Sequence, residues 1–327
     1  MKKLLTTCAT LLFLSLLLIF PKIALAGAKS GLLLWFNTVL PTLLPFLIIS
    51  NLIVQFRITD CLTSFLHPIV GKLFHISKSA CYPMIIGMLS GYPVGAKACG
   101  DLVRNHEISR EEGQFLLCFC NNASPMFILS FVTMQCLHIE SKGFLLLGII
   151  YGSGIFAGFL YRILFGHTSK NQNRTQNKSL LSSDEVAEIC TTTDANSPSS
   201  PFMILDNTIL NAFVIITKVG GYIILFSILA EIVQYIAWIP PMVRYFIIGF
   251  LEITTGTAAI GISPFSFTQK IVLINALTAF GGLSSHAQTF SVIMHSGLSI
   301  KKYFVFKCIN AGFAAMLTLL FIRIHIF

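Results

Sequence analysis

Residues 89–105 read "LSGYPVGAKACGDLVRN" inside a chain that is otherwise strongly apolar. Gly91, Pro93, Gly95 and Lys97 all fall within residues 91–97 of this stretch. A proline in a helix interior removes a backbone hydrogen bond, and a charge in lipid is costly unless it is compensated. The stretch therefore predicts an interrupted helix within a membrane protein, where the interruption serves a function.

The composition of the whole chain agrees with a membrane protein. Of the 327 residues, 55% are hydrophobic and 11% are charged, whereas soluble domains carry about 25% charged residues. Several apolar runs reach the roughly 20 residues that a helix needs to cross a bilayer. The net charge of +9 fits basic cytoplasmic loops, so we expect the lipid bilayer and no nucleic acid as a partner.

The amino-terminal residues 1–26 predict a first transmembrane helix. Lys2 and Lys3 precede an apolar run, and Ala24-Leu25-Ala26 resembles a signal-peptide cleavage site. The run is long enough to span, which favours a retained helix over a cleaved signal. Cleavage stays open at this point.

The rest of the chain divides into two halves with the same order of interruptions. "GYPVGAKA" is followed, 27 positions after Gly95, by Asn122 in "NNASP", and "TTGTAAIG" is followed, 28 positions after Gly256, by Ser284 in "GLSSHA". Two matching pairs in one order indicate an internal duplication. The halves are residues 27–167 and 202–327. Residues 168–201 are rich in Ser, Thr and Asn and predict a flexible cytoplasmic linker.

Charge at the flanks indicates how the interrupted segments sit in the membrane. Lys72 and Lys78 precede the opening stretch, and Arg104 and Arg110 follow it. Because basic residues stay inside, a re-entrant hairpin fits better than a full crossing, with Arg57 also inside. Following the charges onward makes the second half inverted. The predicted fold is an all-α polytopic membrane protein with two inverted repeats, each containing a re-entrant helical hairpin and a broken transmembrane helix.

The candidate substrate-binding residues are the polar and glycine positions of the four interruptions. Backbone amides at the first interruption and Lys97 together suit an anion, although Lys97 could instead extend to the interface. The two asparagines could cap freed backbone groups or bind substrate. Glu252 could couple a proton or cation, or pair with Lys97, and His286 could titrate or be buried and neutral. The residues are Ser90, Gly91, Tyr92, Pro93, Gly95, Lys97, Asn121, Asn122, Ser124, Glu252, Thr254, Thr255, Gly256, Ser284, Ser285, His286 and Gln288.

Catalytic and cofactor motifs are absent from the sequence. "GLSSH" carries Ser284 and His286 too close together for a nucleophile and its base on a helix. No HExxH or phosphate-binding GK[ST] occurs, and Cys118 and Cys120 form CxC rather than CxxC. We therefore expect no enzyme activity, no metal and no cofactor.

Three segments resemble the YlbJ/SpoVV sporulation integral membrane proteins, within the wider nucleoside-recognition "Gate" domain group. They are "LWFNTVLPTLLPF" (34–46), "GMLSGYPVGAKACGDLVRN" (87–105) and "EEGQFLLCFCNNASPMFI" (111–128). The resemblance covers nearly the whole chain outside the linker. "NNASPMF" varies the family's second pattern, which leaves the roles of Asn121 and Asn122 open.

The resemblance implies a sporulation role in moving dipicolinic acid across the outer forespore membrane. The Gate relationship implies helical hairpins like those of concentrative nucleoside transporters. A nucleoside or other small-solute permease, and a structural protein of the forespore membrane, are the alternatives. The sequence leaves open whether copies of the chain form a homo-oligomer.

Overall fold

The fold is described from a computed structural model for residues 2–56, 58–165 and 201–324. Arg57 and residues 168–200 of the predicted linker lie outside the described residues. Within the described part the chain forms helices and no strands. The α-helices are α1 (Lys2–Ile19), α2 (Pro21–Leu34), α3 (Leu40–Gln55), α4 (Ile58–Phe74), α5 (Cys81–Ser90), α6 (Val94–Arg104), α7 (Arg110–Cys120), α8 (Gly143–Phe165), α9 (Pro201–Tyr235), α10 (Pro241–Leu251), α11 (Ile253–Ile262), α12 (Phe267–Phe280), α13 (Gly282–Ile293) and α14 (Ile300–Arg323).

Four helical segments of the described residues are long and apolar enough to cross a membrane. They are Pro21–Ile53, Glu140–Phe165, Phe202–Tyr235 and Ile300–Arg323. Large apolar side chains such as Phe144 and Ile262 are strongly exposed, at 81% and 90%, which suits contact with lipid rather than water. The prediction of an all-helical membrane protein is confirmed.

The opening stretch forms two helices, α5 and α6, that pack against each other around a short non-helical tip. Gly91 has a φ of 76°, a conformation that favours glycine because it carries no Cβ. A Cβ on Gly95 would lie 2.6 Å from the Cα of Gly87, so the two helices touch at their glycines. The predicted interruption therefore lies where the sequence placed it.

A similar glycine contact joins α10 and α11, which meet at the extended residue Glu252. A Cβ on Gly256 would collide with the backbone of Gly249. Glycine pairs thus hold both helix pairs close to their interruptions.

The other two interruptions lie within longer helical runs. Helix α7 ends at Cys120, and the chain resumes as a helix at Pro125 that becomes a π-helix over Phe127–Cys136. Helices α12 and α13 meet at Gly281, which has a φ of 96°. This break stands at the start of the segment that the sequence singled out, and Ser284 through Gln288 lie inside α13.

The amino-terminal part of the chain remains helical across a position where the sequence predicted a boundary. The boundary at residue 26 falls inside α2, and Pro21–Ile53 is one helical segment with a π-helical turn at Trp35–Val39. Gly27 and Gly31 pack directly on Ile228 and Ser227 of α9, so the glycines serve helix packing rather than a break. The π-helical turn precedes Pro41, where the missing N–H would interrupt regular helix bonding.

We predict that Gly87→Ala destabilises the protein by about 1–3 kcal/mol, the usual cost of overpacking. The new methyl group would lie 2.6 Å from the carbonyl oxygen of Cys120. Gly148→Ala is the matched control, because a Cβ there meets no atom within 4 Å. Thermal unfolding of the purified protein in detergent measures both, and equal midpoints for the two variants would contradict the close contact.

Candidate functional site

The four interruptions converge on one small cavity. Each contributes polar side chains to its wall, and the long apolar helices α3 and α9 and the π-helical turn at Trp35–Val39 close the remaining side. The lining residues are Val39, Leu43, Ser90, Tyr92, Ser124, Phe127, Val219, Ile223, Glu252, Ile253, Thr254, Ser284 and Gln288. Seven of the residues predicted from sequence therefore come together here: Ser90, Tyr92, Ser124, Glu252, Thr254, Ser284 and Gln288.

The tip between α5 and α6 is fastened to the break after α7. The backbone N–H of Tyr92 donates to the carbonyl of Asn122 at 2.9 Å. The hydroxyl of Tyr151 on α8 reaches both elements, since it lies 2.6 Å from the carbonyl oxygen of Met88 and 3.1 Å from that of Ala123. Carbonyls freed by the two interruptions are thus satisfied by neighbouring groups, as a water-free interior requires.

Glu252 supplies the acid of the cavity wall. It is 1% exposed, and its carboxylate accepts the Thr255 N–H at 2.6 Å and the Ser284 hydroxyl at 3.4 Å. The first contact caps the start of α11, where the helix dipole favours a negative charge. No Lys or Arg is among the lining residues of the described chain.

Asn121 and Asn122 are buried beside the cavity and bond within the protein. The Asn121 amide donates to the Thr289 and Tyr303 hydroxyls, both at 3.0 Å. The Asn122 amide donates to the carbonyl of Phe119 at 2.7 Å, and so caps the end of α7. In this structure the two asparagines therefore cap a helix end and bond between helices.

Lys97 lies on α6, away from the residues that line the cavity. Its side chain is 38% exposed and its Nζ is 4.0 Å from the carboxylate of Asp101. In this conformation it therefore pairs with Asp101 on its own helix rather than with Glu252.

The remaining candidates support the interruptions or lie behind the wall. Gly91 and Pro93 form the first tip, Gly95 and Gly256 make the glycine contacts, and Thr255 shares a hydrogen bond with Ser227. The Ser285 hydroxyl donates to Gly282. His286 is buried, with its Nδ1 2.7 Å from the Gly282 carbonyl and its ring stacked on Phe280.

Sequence reasoning missed a polar face on α14 that contacts the asparagines. Lys307 is fully buried, and its Nζ donates to Asn122 Oδ1 at 2.8 Å and to the Asn121 carbonyl at 3.3 Å. Asn310 donates to Asn122 Oδ1 and to the Ala279 carbonyl, both at 3.3 Å. The signal was present as Tyr303, Lys307 and Asn310, which are spaced four and three residues apart and so share one helix face.

The described residues contain no group of three His, Cys, Asp or Glu that could hold a metal ion. The chemistry of the site is therefore that of hydroxyls, amides, one carboxylate and helix ends. Such groups are able to hydrogen-bond to a polar solute.

The chain is similar to the sporulation integral membrane protein YlbJ of Bacillus subtilis (strain 168), with 27% identity over 318 residues, 92% of this chain and 78% of that protein. This similarity supports the resemblance to the YlbJ family seen in the sequence. No family model matches the chain. No solved structure matches it either.

We predict that Tyr151→Phe lowers the free energy of unfolding by about 1–3 kcal/mol, because two buried carbonyls lose the one hydroxyl proton that they share. Tyr235→Phe is the control, since Tyr235 is 67% exposed. Thermal unfolding in detergent compares the two variants. A Tyr151→Phe protein as stable as the control would show that the hydroxyl does not join the two interruptions.

Proposed function

We propose that this chain is an alternating-access transporter that moves dipicolinic acid, a small aromatic dianion, across the outer forespore membrane during sporulation. The observation that carries the proposal is the meeting of four helix interruptions at one cavity. Non-helical backbone at membrane depth is tolerated only where protein buries it or where it lines a cavity. Transporters use such discontinuous helices to form substrate sites near the midplane.

The cavity offers donors that suit carboxylates. Tyr92 and Ser124 contribute hydroxyls to its wall, and the Ser90 and Ser284 hydroxyls, which also lie there, donate to Ser50 and Glu252. Helices α6 and α13 begin beside it, and neither has a side-chain cap within the described residues. The Val94 and Gly95 N–H groups of α6 donate to the Gly91 carbonyl, so the positive ends of the two helices are what favours an anion.

Glu252 is the group in the wall that opposes a dianion. A carboxylate beside a bound carboxylate is unfavourable unless a proton or cation accompanies the substrate. We therefore assign to Glu252 the coupling of substrate binding to a cation or proton. This role fits its burial and its contact with Ser284.

In the proposed cycle the two helix pairs, α5–α6 and α10–α11, act as re-entrant hairpins of two inverted repeats. Their glycine contacts allow each pair to move as a unit, because the two helices of a pair pack backbone to backbone. Movement of one pair relative to α3 and α9 would open the cavity to one side of the membrane. The relationship to the nucleoside-recognition Gate domain group, which the sequence resemblance implies, is part of this proposal.

The proposed role in sporulation rests on the similarity to YlbJ, which is named a sporulation integral membrane protein. A nucleoside permease is the second candidate, since Glu252, Gln288 and the serine hydroxyls would also bind the hydroxyls of a neutral sugar. A forespore structural protein without transport is the third. The proposal includes no catalysis.

Counterflow in proteoliposomes separates these functions. Purified protein is reconstituted into vesicles preloaded with unlabelled dipicolinate or uridine, and uptake of the labelled compound is followed. We expect accumulation of labelled dipicolinate only in dipicolinate-loaded vesicles. Uridine counterflow alone would favour the permease, and no counterflow with either compound would overturn transport of both.

We predict that Glu252→Gln tightens the apparent affinity for dipicolinate by on the order of tenfold, because the change removes a like charge from the cavity wall. The glutamine oxygen can still accept the Thr255 N–H, so the start of α11 stays capped. Glu111→Gln, at an exposed acid in the first turn of α7, is the control. Weaker or unchanged half-saturation in counterflow would contradict the assigned role of Glu252.

A further inference from the structure

Lys307 is a buried lysine with no acidic partner shown among the described residues. It lies in the amino-terminal third of the apolar helix α14 and is fully buried. Asp101 forms ion pairs with Lys97 and Arg104, and neither of these pairs includes Lys307. A charge in a membrane interior is expensive and marks a functional position.

The surroundings of Lys307 replace the missing counter-charge with helix ends. Its ammonium contacts Asn121 and Asn122, which directly follow the last residue of α7. The carboxyl end of a helix carries partial negative charge that stabilises a cation. Asn310, one turn along the same face, contacts Ala279 near the end of α12, so α14 joins the carboxyl ends of both broken helices.

The ligands of Lys307 are of the kind that a free cation takes in a transporter. In discontinuous membrane helices, unwound backbone carbonyls and half-helix carboxyl ends coordinate Na⁺. Here a backbone carbonyl and an amide oxygen at such an end face the ammonium. Two amide oxygens in this cluster, Asn121 Oδ1 and Asn310 Oδ1, are buried without a hydrogen-bond partner. The cluster therefore has unused hydrogen-bond acceptors, which a cation could contact.

We propose that Lys307 is a tethered cation that permanently occupies a monovalent-cation site at the interrupted helix after α7. The chain consequently needs no dissociable cation at this break. Removal of the side chain should expose a site for a small monovalent cation, either Na⁺ or an alkylammonium. This proposal does not depend on which solute the cavity carries.

The first test is chemical rescue of Lys307→Ala. Thermal unfolding of the purified variant in detergent is measured in choline chloride, sodium chloride and methylammonium chloride at equal ionic strength. We expect a midpoint below that of the wild type in choline, with a saturable rise of about 2–4 °C or more in Na⁺ or methylammonium. The wild type and Lys301→Ala, which removes an exposed lysine from the first turn of the same helix, should show no such rise.

Lys307→Gln separates charge from hydrogen bonding. Glutamine can donate to Asn122 but carries no charge, so we expect it to unfold below the wild type as alanine does. Full wild-type stability of Lys307→Gln, or no cation-specific rise for Lys307→Ala, would overturn the proposal.

Asn122→Asp gives an answer even if the Lys307 variants do not accumulate. Aspartate and leucine both lose the amide that donates to the Phe119 carbonyl, so the two variants share that cost. Only aspartate places a carboxylate 2.8 Å from the Lys307 ammonium and forms a buried ion pair. Asn122→Asp should therefore unfold at a clearly higher midpoint than Asn122→Leu, and equal midpoints for the two variants would show that no cation resides at this position.

Discussion

The absence of water in the membrane interior governs this structure, because every backbone group freed by a helix interruption must find a partner within the protein. The break after Cys120 illustrates the constraint most fully. Its carbonyls accept hydrogen bonds from Tyr92 of the α5–α6 tip, from Tyr151 of α8 and from Lys307 of α14. Four elements distant in sequence are therefore joined at one break, and the cavity exists where they meet.

Local sequence was sufficient to find the interruptions. Pro93 lacks a backbone N–H and Gly91 readily adopts the positive φ found here, so the pair favours a break at this position. Asn121 through Pro125 and the glycines at 281 and 282 give the same kind of signal. Composition likewise predicted an all-helical membrane protein, because apolar run length reflects bilayer thickness directly.

Side-chain contacts between helices that are distant in sequence could not be predicted in the same way. Lys97 drew attention because it stands beside an interruption in sequence, yet its nearest acid is one turn along its own helix. Lys307 is separated from Asn122 by 185 positions, and only tertiary packing reveals the contact. The packing role of Gly27 and Gly31 was likewise not visible in the sequence, since glycines that admit a neighbouring helix look identical there to glycines that end one.

Two buried charged residues of the core each lie at a helix end whose partial charge is opposite to their own. Lys307 lies at the carboxyl end of α7, where a positive charge is favoured, and Glu252 caps the amino end of α11, where a negative charge is favoured. An unbroken helix would carry both ends to the membrane surface and leave each charge without this compensation. Interrupting the helices thus creates places at this depth where single charges are tolerable. The amino ends of α6 and α13 have no side-chain cap in the described chain. At α6 the Gly91 carbonyl accepts the Val94 and Gly95 N–H groups, so the interruption itself supplies part of the compensation that Glu252 supplies at α11.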